Sequence, residues 1–320
     1  MPLLRSDRVA LNPIPWINVK ADPADPESED LWLFADPAFR RDYPRVLRAI
    51  RASGFTSTMM EVLDTQTLYD YRRMLDEAGL TPAPGYATIP LPEDHGMFFD
   101  PDSAEGVRWF DGVRRKAEES VFFGLGTIFL APEVSWSPAA IRTRDAAGVG
   151  AGFHPQRLQR QIDLIGRAAE VLAAEGVKAG LHNHIGTWIE TEEEIEQTLA
   201  AIPAGLLGAS FDLGHLAWAG IDPAAMIARH ADRVLDLHVK DLDLAVAADT
   251  RARPVSYREA TARGIFREPG FGDMDIDAAL AALPEGWDGW VIIEVDRATM
   301  PPEQSAAESW KWVQARTLAS

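Results

Sequence analysis

The sequence lacks cysteine altogether, and this absence restricts the chemistry that the chain can carry. None of the 320 residues is a cysteine, so there are no disulfides, no thiolate metal ligands and no cysteine nucleophile. Any metal ion would have to be held by His, Asp, Glu and water. Histidine is also scarce, with seven in the whole chain, so the positions of the histidines are informative.

The sequence also has fewer basic than acidic residues and lacks long apolar runs. The chain has 31 Lys and Arg against 49 Asp and Glu, a formal net charge of −18, which opposes binding to nucleic acid or to an anionic membrane. No stretch approaches the roughly 20 apolar residues of a membrane helix, and the N-terminal MPLLRSDRVALNPIPW does not resemble a secretory signal. We expect a soluble, cytoplasmic protein with no nucleic-acid or membrane partner.

The sequence does contain short apolar runs that alternate with longer segments of helical periodicity, which is typical of βα units around a buried parallel sheet. The eight runs cover residues 9–16, 54–62, 80–86, 127–134, 177–183, 207–212, 234–239 and 290–295. Helical spacing is clear at 45–52, 68–78, 158–174 and 192–201, with Gly54, Gly79 and Gly176 placed as C-caps. The pattern predicts an α/β fold: one (β/α)8 TIM barrel domain spanning residues 1–320.

Three of the predicted connections are longer than a barrel requires. They cover residues 18–39, 135–155 and 242–273, and each follows a strand, so all three would lie at the C-terminal mouth. Because long irregular loops are uncommon unless they are functional, we expect them to roof a pocket and exclude water from it. The alternative is that they are surface insertions.

Polar residues end nearly every predicted strand, which is where catalytic groups of a TIM barrel lie. Four of the seven histidines are among them. The residues are Glu61, Glu133, His182, Asn183, His184, Asp212, His215, His238, Lys240, Asp241, Glu294 and Asp296. Each alone could be a core histidine, a helix cap or half of an ion pair. Together they would repel one another unless a cation were bound.

The strand ends predict a mixed nitrogen and oxygen metal site. Its ligands would be His182, Asp212, His238 and Glu294, a set that suits manganese or cobalt, with zinc or magnesium as alternatives, better than calcium. His182 and His184 lie two apart on one strand and point the same way. We assign His182 to the metal and His184 to the pocket as a donor.

Other residues at the predicted mouth are candidates for catalysis or substrate binding. Lys240 shares the face of His238 and could neutralise an enolate or protonate a leaving hydroxyl. Glu133 and Glu61 could act as bases or bind sugar hydroxyls, and each could instead be structural. His215 could contact substrate, support the metal site or face solvent, and Trp16 could form an apolar wall or pack in the core.

Six ordered motifs give the chain a family resemblance that covers essentially its whole length: PIPWIN, GLHNHIGTWIET, SFDLGH, HVKD, GIFREPGFGDMD and GWDGWVIIEVD. It resembles the sugar phosphate isomerase/epimerase superfamily of xylose isomerase-like TIM barrels, and within it the inosose (2-keto-myo-inositol) dehydratases. The resemblance implies a metal site at His182 or its neighbour, Asp212, His238 and Glu294. Two loops depart from the dehydratase pattern, at Asn18-Val-Lys-Ala-Asp and at Gly270-Phe-Gly-Asp.

The resemblance implies carbonyl chemistry on a small polyol in inositol catabolism. Many isomerases of the superfamily carry a glutamate on the fifth strand that pairs with the one on the eighth, whereas this chain has His-Asn-His there, which favours dehydration over isomerisation. We expect a metal-dependent lyase that acts through an enediolate, with Glu294 or Glu133 as base and Lys240 or His184 as acid.

Four alternatives remain open at this stage. A C-glycoside deglycosidase catalytic subunit would act on 3-keto glycosides with a small β-sandwich partner chain. A ketose isomerase or epimerase would exchange a substrate proton without losing water. A polyol-binding barrel would bind without turnover, and an endonuclease of the same superfamily is opposed by the charge of −18. Homo-oligomers are common in this superfamily, but no apolar stripe identifies an interface here.

Overall fold

The eight apolar runs form the eight parallel strands of a closed barrel. A computed structural model describes residues 3–20, 30–32, 37–63, 66–91, 93 and 100–317. We number the barrel strands one to eight in chain order: Val9–Leu11, Ser57–Met59, a third strand in two segments (Thr81–Ala83 and Tyr86–Ile89), Thr127–Pro132, Lys178–Leu181, Leu207–Ala209, Leu237–Val239 and Val291–Ile293. The predicted fold class is confirmed.

Closure of the barrel is visible in the strand register. Strand one pairs with strand eight, Val9 opposite Val291, and with strand two, Leu11 opposite Thr58. Strands six and seven are joined by parallel bridges, one of which pairs Asp212 with His238. The third strand breaks at Pro84-Gly85, where a Cβ on Gly85 would lie 2.4 Å from the Met60 carbonyl oxygen. Only glycine permits this close approach.

Helices surround the barrel and begin and end where local sequence dictates. Thr67 and Thr191 form capping boxes at the starts of α2 and α6, and Gly54, Gly79 and Gly176 have φ of 119°, 69° and 82°, as expected of C-capping glycines. The helices are α1 Pro37–Ser53, α2 Leu68–Ala78, α3 Ala104–Phe122, α4 Ile141–Arg144, α5 Pro155–Ala174, α6 Glu192–Ala201, α7 Leu213–Trp218, α8 Pro223–Arg229, α9 Leu244–Ala252, α10 Tyr257–Ala262, α11 Ile276–Ala281 and α12 Pro302–Gln314. None of these described helices combines the length and apolarity needed to cross a membrane.

The first strand is shorter than the sequence pattern predicts. It ends at Leu11, and Ile14–Trp16 forms a single 3-10 turn. Pro13 and Pro15 have no backbone N–H to donate to a neighbouring strand, so extended pairing cannot continue through them. Asn12 stabilises the turn, because its Oδ1 accepts a hydrogen bond from the Ile14 N–H at 3.0 Å.

The interior of the barrel has an apolar floor beneath a polar mouth. The floor is a small buried cluster of Ala10, Met59, Ala83, Phe129 and Ile292, separate from the large core between the strands and the helices. The Phe129 ring packs edge-on against the His238 ring, with centroids 4.2 Å apart. The polar side chains of the mouth therefore lie next to a layer of apolar side chains that excludes water.

Two of the three long connections are structured and contribute to the mouth. Residues 135–155 contain α4, and residues 242–273 contain α9 and α10; most of the third, residues 18–39, lies outside the described residues. Directly before the connection 242–273, the Asp241 carboxylate accepts backbone hydrogen bonds from Leu242, Gly270, Gly272 and Met274. The carboxylate of the HVKD motif thus fixes the Gly270-Phe-Gly-Asp turn.

Candidate active site

The four predicted metal ligands converge at the polar mouth. Asp212 Oδ2 lies 4.0 Å from His182 Nε2 and 3.9 Å from His238 Nδ1. Glu294 Oε2 contacts His238 Nδ1 directly. All four side chains are buried. His182, Asp212 and His238 each offer a ligand atom within 4.8 Å of the others, and Glu294 adjoins them through its contact with His238.

Neighbouring amides support two of these residues, Asp212 through its backbone and Glu294 through its carboxylate. Asn183 faces Asp212, donating from Nδ2 to its carbonyl oxygen at 3.2 Å and accepting from its N–H at 3.0 Å. Asn12 Nδ2 donates to Glu294 Oε1 at 2.8 Å, which leaves Oε2 directed at the site. Such supporting hydrogen bonds orient metal ligands in proteins.

A second cluster adjoins the first and consists of His184, His215 and Asp296. His215 Nε2 lies 3.9 Å from Asp296 Oδ2 and 4.0 Å from Asp212 Oδ2, and the rings of His184 and His215 are 3.9 Å apart. Tyr257, from the connection 242–273, donates to Asp296 Oδ2 at 2.7 Å and stacks on the His184 ring. Asp212 therefore stands between two groups of potential ligands.

Lys240 joins the two clusters through its ammonium group. Its Nζ lies 2.8 Å from Asp212 Oδ2 and 3.3 Å from Glu294 Oε2 on one side. On the other side it lies 3.0 Å from both Asp296 Oδ1 and His215 Nε2. The side chain is almost fully buried, so these contacts replace its hydration.

Burial keeps three of the histidines neutral. It lowers the pKa of His184 to about 3 and the pKa of His182 and His215 well below 6.5, with neighbouring cations adding to the effect. His184 Nδ1 lies 2.7 Å from the Ile185 carbonyl oxygen, which can only accept. Its Nδ1 therefore carries the proton, and its Nε2 is an acceptor.

The buried carboxylates and Lys240 depend on one another electrostatically. Burial raises the pKa of Asp212, and it raises that of Asp296 to about 6, although Lys240 opposes both shifts. At Glu294 the effect of burial is outweighed by Lys240 and His238, which lower the pKa to about 2. Burial alone would lower the pKa of Lys240, but the carboxylates around it raise the pKa overall.

The donor set fits a single divalent metal ion at the first cluster. Neutral imidazoles and ionised carboxylates are the ligand forms that bind such ions. The clusters contain three carboxylates and one ammonium group within contact distance, so two negative charges remain for a dication to balance. His182, Asp212, His238 and Glu294 would hold it.

Tyr86 lies at the centre of the site, although the sequence did not single it out. Its hydroxyl is 3.3 Å from His182 Nε2 and 3.0 Å from His238 Nδ1, and burial raises its pKa well above 10, so it stays neutral. A cavity of about 340 Å3 lies beside it. The predicted residues Glu61 and Glu133 line this cavity together with Thr88, Trp109 and Lys116.

The Trp16 side chain contacts α12 and the main core. Its indole Nε1 is 3.3 Å from Glu303 Oε1 at the start of α12, and the ring packs partly against the main core. A packing role is therefore visible, while contact with substrate stays a prediction. Among the other residues missed, Asn12 lies inside the predicted apolar run 9–16 and follows strand one only because that strand ends at Leu11, whereas Tyr257 carried no sequence signal because it sits inside a long connection.

Comparison with known proteins identifies the family. Residues 42–316 match the family of xylose isomerase-like TIM barrels, and because the match covers most of the chain, the protein belongs to that family. The resemblance inferred from the motifs is confirmed. The chain is 28% identical to the rhizopine catabolism protein MocC of Rhizobium meliloti over 302 residues, covering 92% of this chain and 83% of that protein.

Similarity to inosose dehydratases is higher over a shorter stretch. The chain is 34% identical to the inosose dehydratase of Geobacillus kaustophilus over 137 residues, 42% of this chain and 44% of the dehydratase. The match thus spans less than half of that relative. These relatives support the assignment of the chain as a sugar-modifying enzyme of the family.

Solved structures share the whole fold at low sequence identity. IolI with a bound zinc atom has a TM-score of 0.63 and 14% identity, covering 98% of this chain and all of that one. A Mycobacterium smegmatis barrel in complex with magnesium has a TM-score of 0.63 and 16% identity, covering 98% of each chain. An L-ribulose 3-epimerase gives 0.62 and 14%, over 97% and 94%. At these identities the likeness establishes the fold.

Proposed function

We propose that this chain is a metal-dependent dehydratase, a carbon–oxygen lyase, that acts on a keto-polyol such as 2-keto-myo-inositol. The observation that carries the proposal is the convergence of His182, Asp212, His238 and Glu294 beside the Lys240 ammonium. The inosose dehydratases among the relatives support the reaction type. The same proposal places the enzyme in the cytoplasm and in inositol catabolism.

The proposed cofactor is one divalent ion, manganese or cobalt in preference to zinc or magnesium. When bound, such an ion polarises a ketone and an adjacent hydroxyl and lowers the cost of removing the proton between them. Zinc and magnesium occur in structural neighbours, which supports a divalent metal ion as the cofactor. The ligand types here are compatible with each of these ions.

In the proposed reaction Glu133 removes the proton next to the ketone. Glu294, the other candidate base, is less suited because Asn12, His238 and Lys240 all contact its carboxylate and its pKa is lowered to about 2. Glu133 lines the cavity beside Tyr86. A double bond then forms as the neighbouring C–O bond breaks, and the hydroxyl leaves with the abstracted proton as water.

Lys240 acts as the electrostatic partner of the oxygen on which negative charge develops. A buried ammonium that is held in place before the reaction stabilises such charge more than solvent does. His184 is disfavoured as the acid, because burial lowers its pKa to about 3 and its Nε2 is an acceptor. Of the two residues we therefore propose a role for Lys240, as an electrostatic partner, while the leaving hydroxyl takes the proton that Glu133 abstracted.

Dehydration is favoured over isomerisation by the chemistry of the fifth strand. A proton shuttle between two carbons is served by two carboxylates, and this strand supplies His182 and His184 after Leu181 instead. Both rings are neutral and belong to the two clusters. Glu294 therefore has no carboxylate partner on this strand.

The proposal is tested by ultraviolet detection of a conjugated dione when manganese-loaded protein meets 2-keto-myo-inositol. Asp212→Asn is the control, since asparagine can still cap α7 but offers a weaker ligand. Metal-dependent product that the variant does not form supports the dehydratase. Deuterium uptake from solvent without loss of water would instead indicate an epimerase. Turnover only with 3-keto glycosides would indicate a deglycosidase.

A further inference from the structure

We infer that the ammonium group of Lys240 takes the place of a second metal ion at the mouth of the barrel. Two groups of potential ligands meet there: His182, Asp212 and His238 form the first, and His184, His215 and Asp296 form the second. In each group the ligand atoms lie within 4.8 Å of one another. By donor type, two imidazoles and one carboxylate, either group suits a transition metal.

The position of Lys240 distinguishes the two groups. Its Nζ lies 3.0 Å from both His215 Nε2 and Asp296 Oδ1, between two members of the second group. It also lies 2.8 Å from Asp212 Oδ2, the atom of the first group that is 4.0 Å from His215 Nε2 of the second. The Lys240 ammonium therefore already lies where a cation of the second group would bind.

The backbone nearby fixes this cation in place. The Lys240 stem passes over the first turn of α7, where a Cβ on Gly214 would lie only 2.5 Å from Lys240 Cβ. Gly214 therefore leaves room for the stem, and the surrounding side chains bury almost all of the lysine. Because the ammonium cannot withdraw to solvent, an ion entering the second group would lie next to an unscreened positive charge.

Charge balance also favours one metal ion and one ammonium group over two metal ions. Asp212, Glu294 and Asp296 carry three negative charges, which one dication and one ammonium neutralise. Two dications beside the ammonium would leave an excess charge of +2 in a buried site, against +1 once the ammonium is removed, and the larger excess is the more unfavourable.

This inference rests on the proposed function only in assigning the metal to the first group, so its test counts metal ions and does not measure turnover. The full-length protein is loaded with cobalt, freed of excess by gel filtration, and analysed for cobalt per chain and for cobalt absorption bands. The variants are Lys240→Met, the same change combined with His215→Ala, and Lys311→Met. Lys311 is the matched control, because it pairs with Glu308 on an exposed helix surface.

We expect one ion per chain in the wild type and in Lys311→Met, two in Lys240→Met, and one again in the double variant. One ion per chain in Lys240→Met would overturn the inference and leave the proposed single-metal enzyme unaffected. Two ions per chain in the wild type would also overturn it and would make the proposed enzyme a two-metal enzyme. No ion in the wild type would instead refute the metal-dependent function. If Lys240→Met does not fold, Lys240→Gln, which removes the charge but keeps a polar side chain, takes its place: two ions per chain support the inference and one ion overturns it.

Discussion

Two buried charge clusters lie at the mouth of this barrel, and they are built differently. The site cluster surrounds Lys240. The roof cluster surrounds Arg142 of α4, which donates to Glu194 at 2.6 and 3.0 Å and to the Thr187 carbonyl oxygen at 2.7 Å. Glu190, beside it, accepts hydrogen bonds from the backbone of Gly148, Gly150 and Gly186.

The clusters differ in how completely their polar atoms are paired. In the roof cluster, backbone N–H groups and Arg142 pair both glutamates, so the connection 135–155 is tied firmly to the loop after the fifth strand. In the site cluster, His215 Nδ1 and His238 Nε2 are buried without a hydrogen-bond partner in the described part of the chain. Complete pairing indicates an anchor. The unpaired nitrogens of the site cluster are the second nitrogens of two rings whose first nitrogens already contact Glu294 and Lys240.

The largest expected effect comes from Asp212→Asn in the site cluster. Turnover should fall by roughly 100-fold or more, because the central ligand loses its charge. The free energy of unfolding should change little, since one of three crowded carboxylates is removed. Steady-state kinetics and urea unfolding measure the two quantities. A variant that lost stability in place of activity would make the site cluster an anchor like the roof cluster.

The opposite result is expected for Arg142→Met in the roof cluster. Its removal leaves two buried glutamates without their cation and should lower the free energy of unfolding by about 3–5 kcal/mol. The metal content per chain should stay as in the wild type. Arg73→Met, which breaks an exposed pair with Glu77, is the control and should cost at most about 1 kcal/mol. Equal effects of the two variants in urea unfolding would refute the anchor.

Asn12→Ala probes the support of the metal ligands. Without the hydrogen bond at 2.8 Å to Glu294 Oε1, the carboxylate can turn away, and metal affinity should fall roughly 10- to 100-fold. Competition with a chelator of known affinity gives the ratio. An unchanged affinity would exclude Glu294 as a ligand held by Asn12.

The smallest expected effect concerns pH and Glu190. Burial raises the pKa of Glu190 from 4.5 to about 7, so between these values the folded state holds a proton that the unfolded state releases. Protonation of Glu190 therefore contributes to the free energy of unfolding at low pH, and this contribution is lost as pH rises through about 7. Relative to Glu190→Gln, the wild type should therefore lose unfolding free energy from pH 5 to pH 8. A constant difference would show that Glu190 stays ionised.

The strand order and the residues at strand ends were predictable because they follow local patterns. The alternation of apolar runs with helical periodicity predicts the barrel, and polar residues after each run locate Asp212, His238 and Glu294 at one mouth. Tyr86 was not identified, because a tyrosine within an apolar run looks like core. Tyr257 depends on how the connection 242–273 folds back, and the third-strand break at Pro84-Gly85 depends on contact with Met60. Such features depend on tertiary contacts that no local pattern encodes.

The bond between Asn12 and Glu294 joins residues 282 positions apart in the chain. It forms only after strand one has paired with strand eight, so the first and last strands must meet before the proposed metal ligands are fully oriented. We expect contacts of such long range to form late in folding, since chain entropy is lost in forming them. A bound ion would therefore bind the closed barrel more tightly than partly folded intermediates, and it would stabilise the closed barrel relative to them.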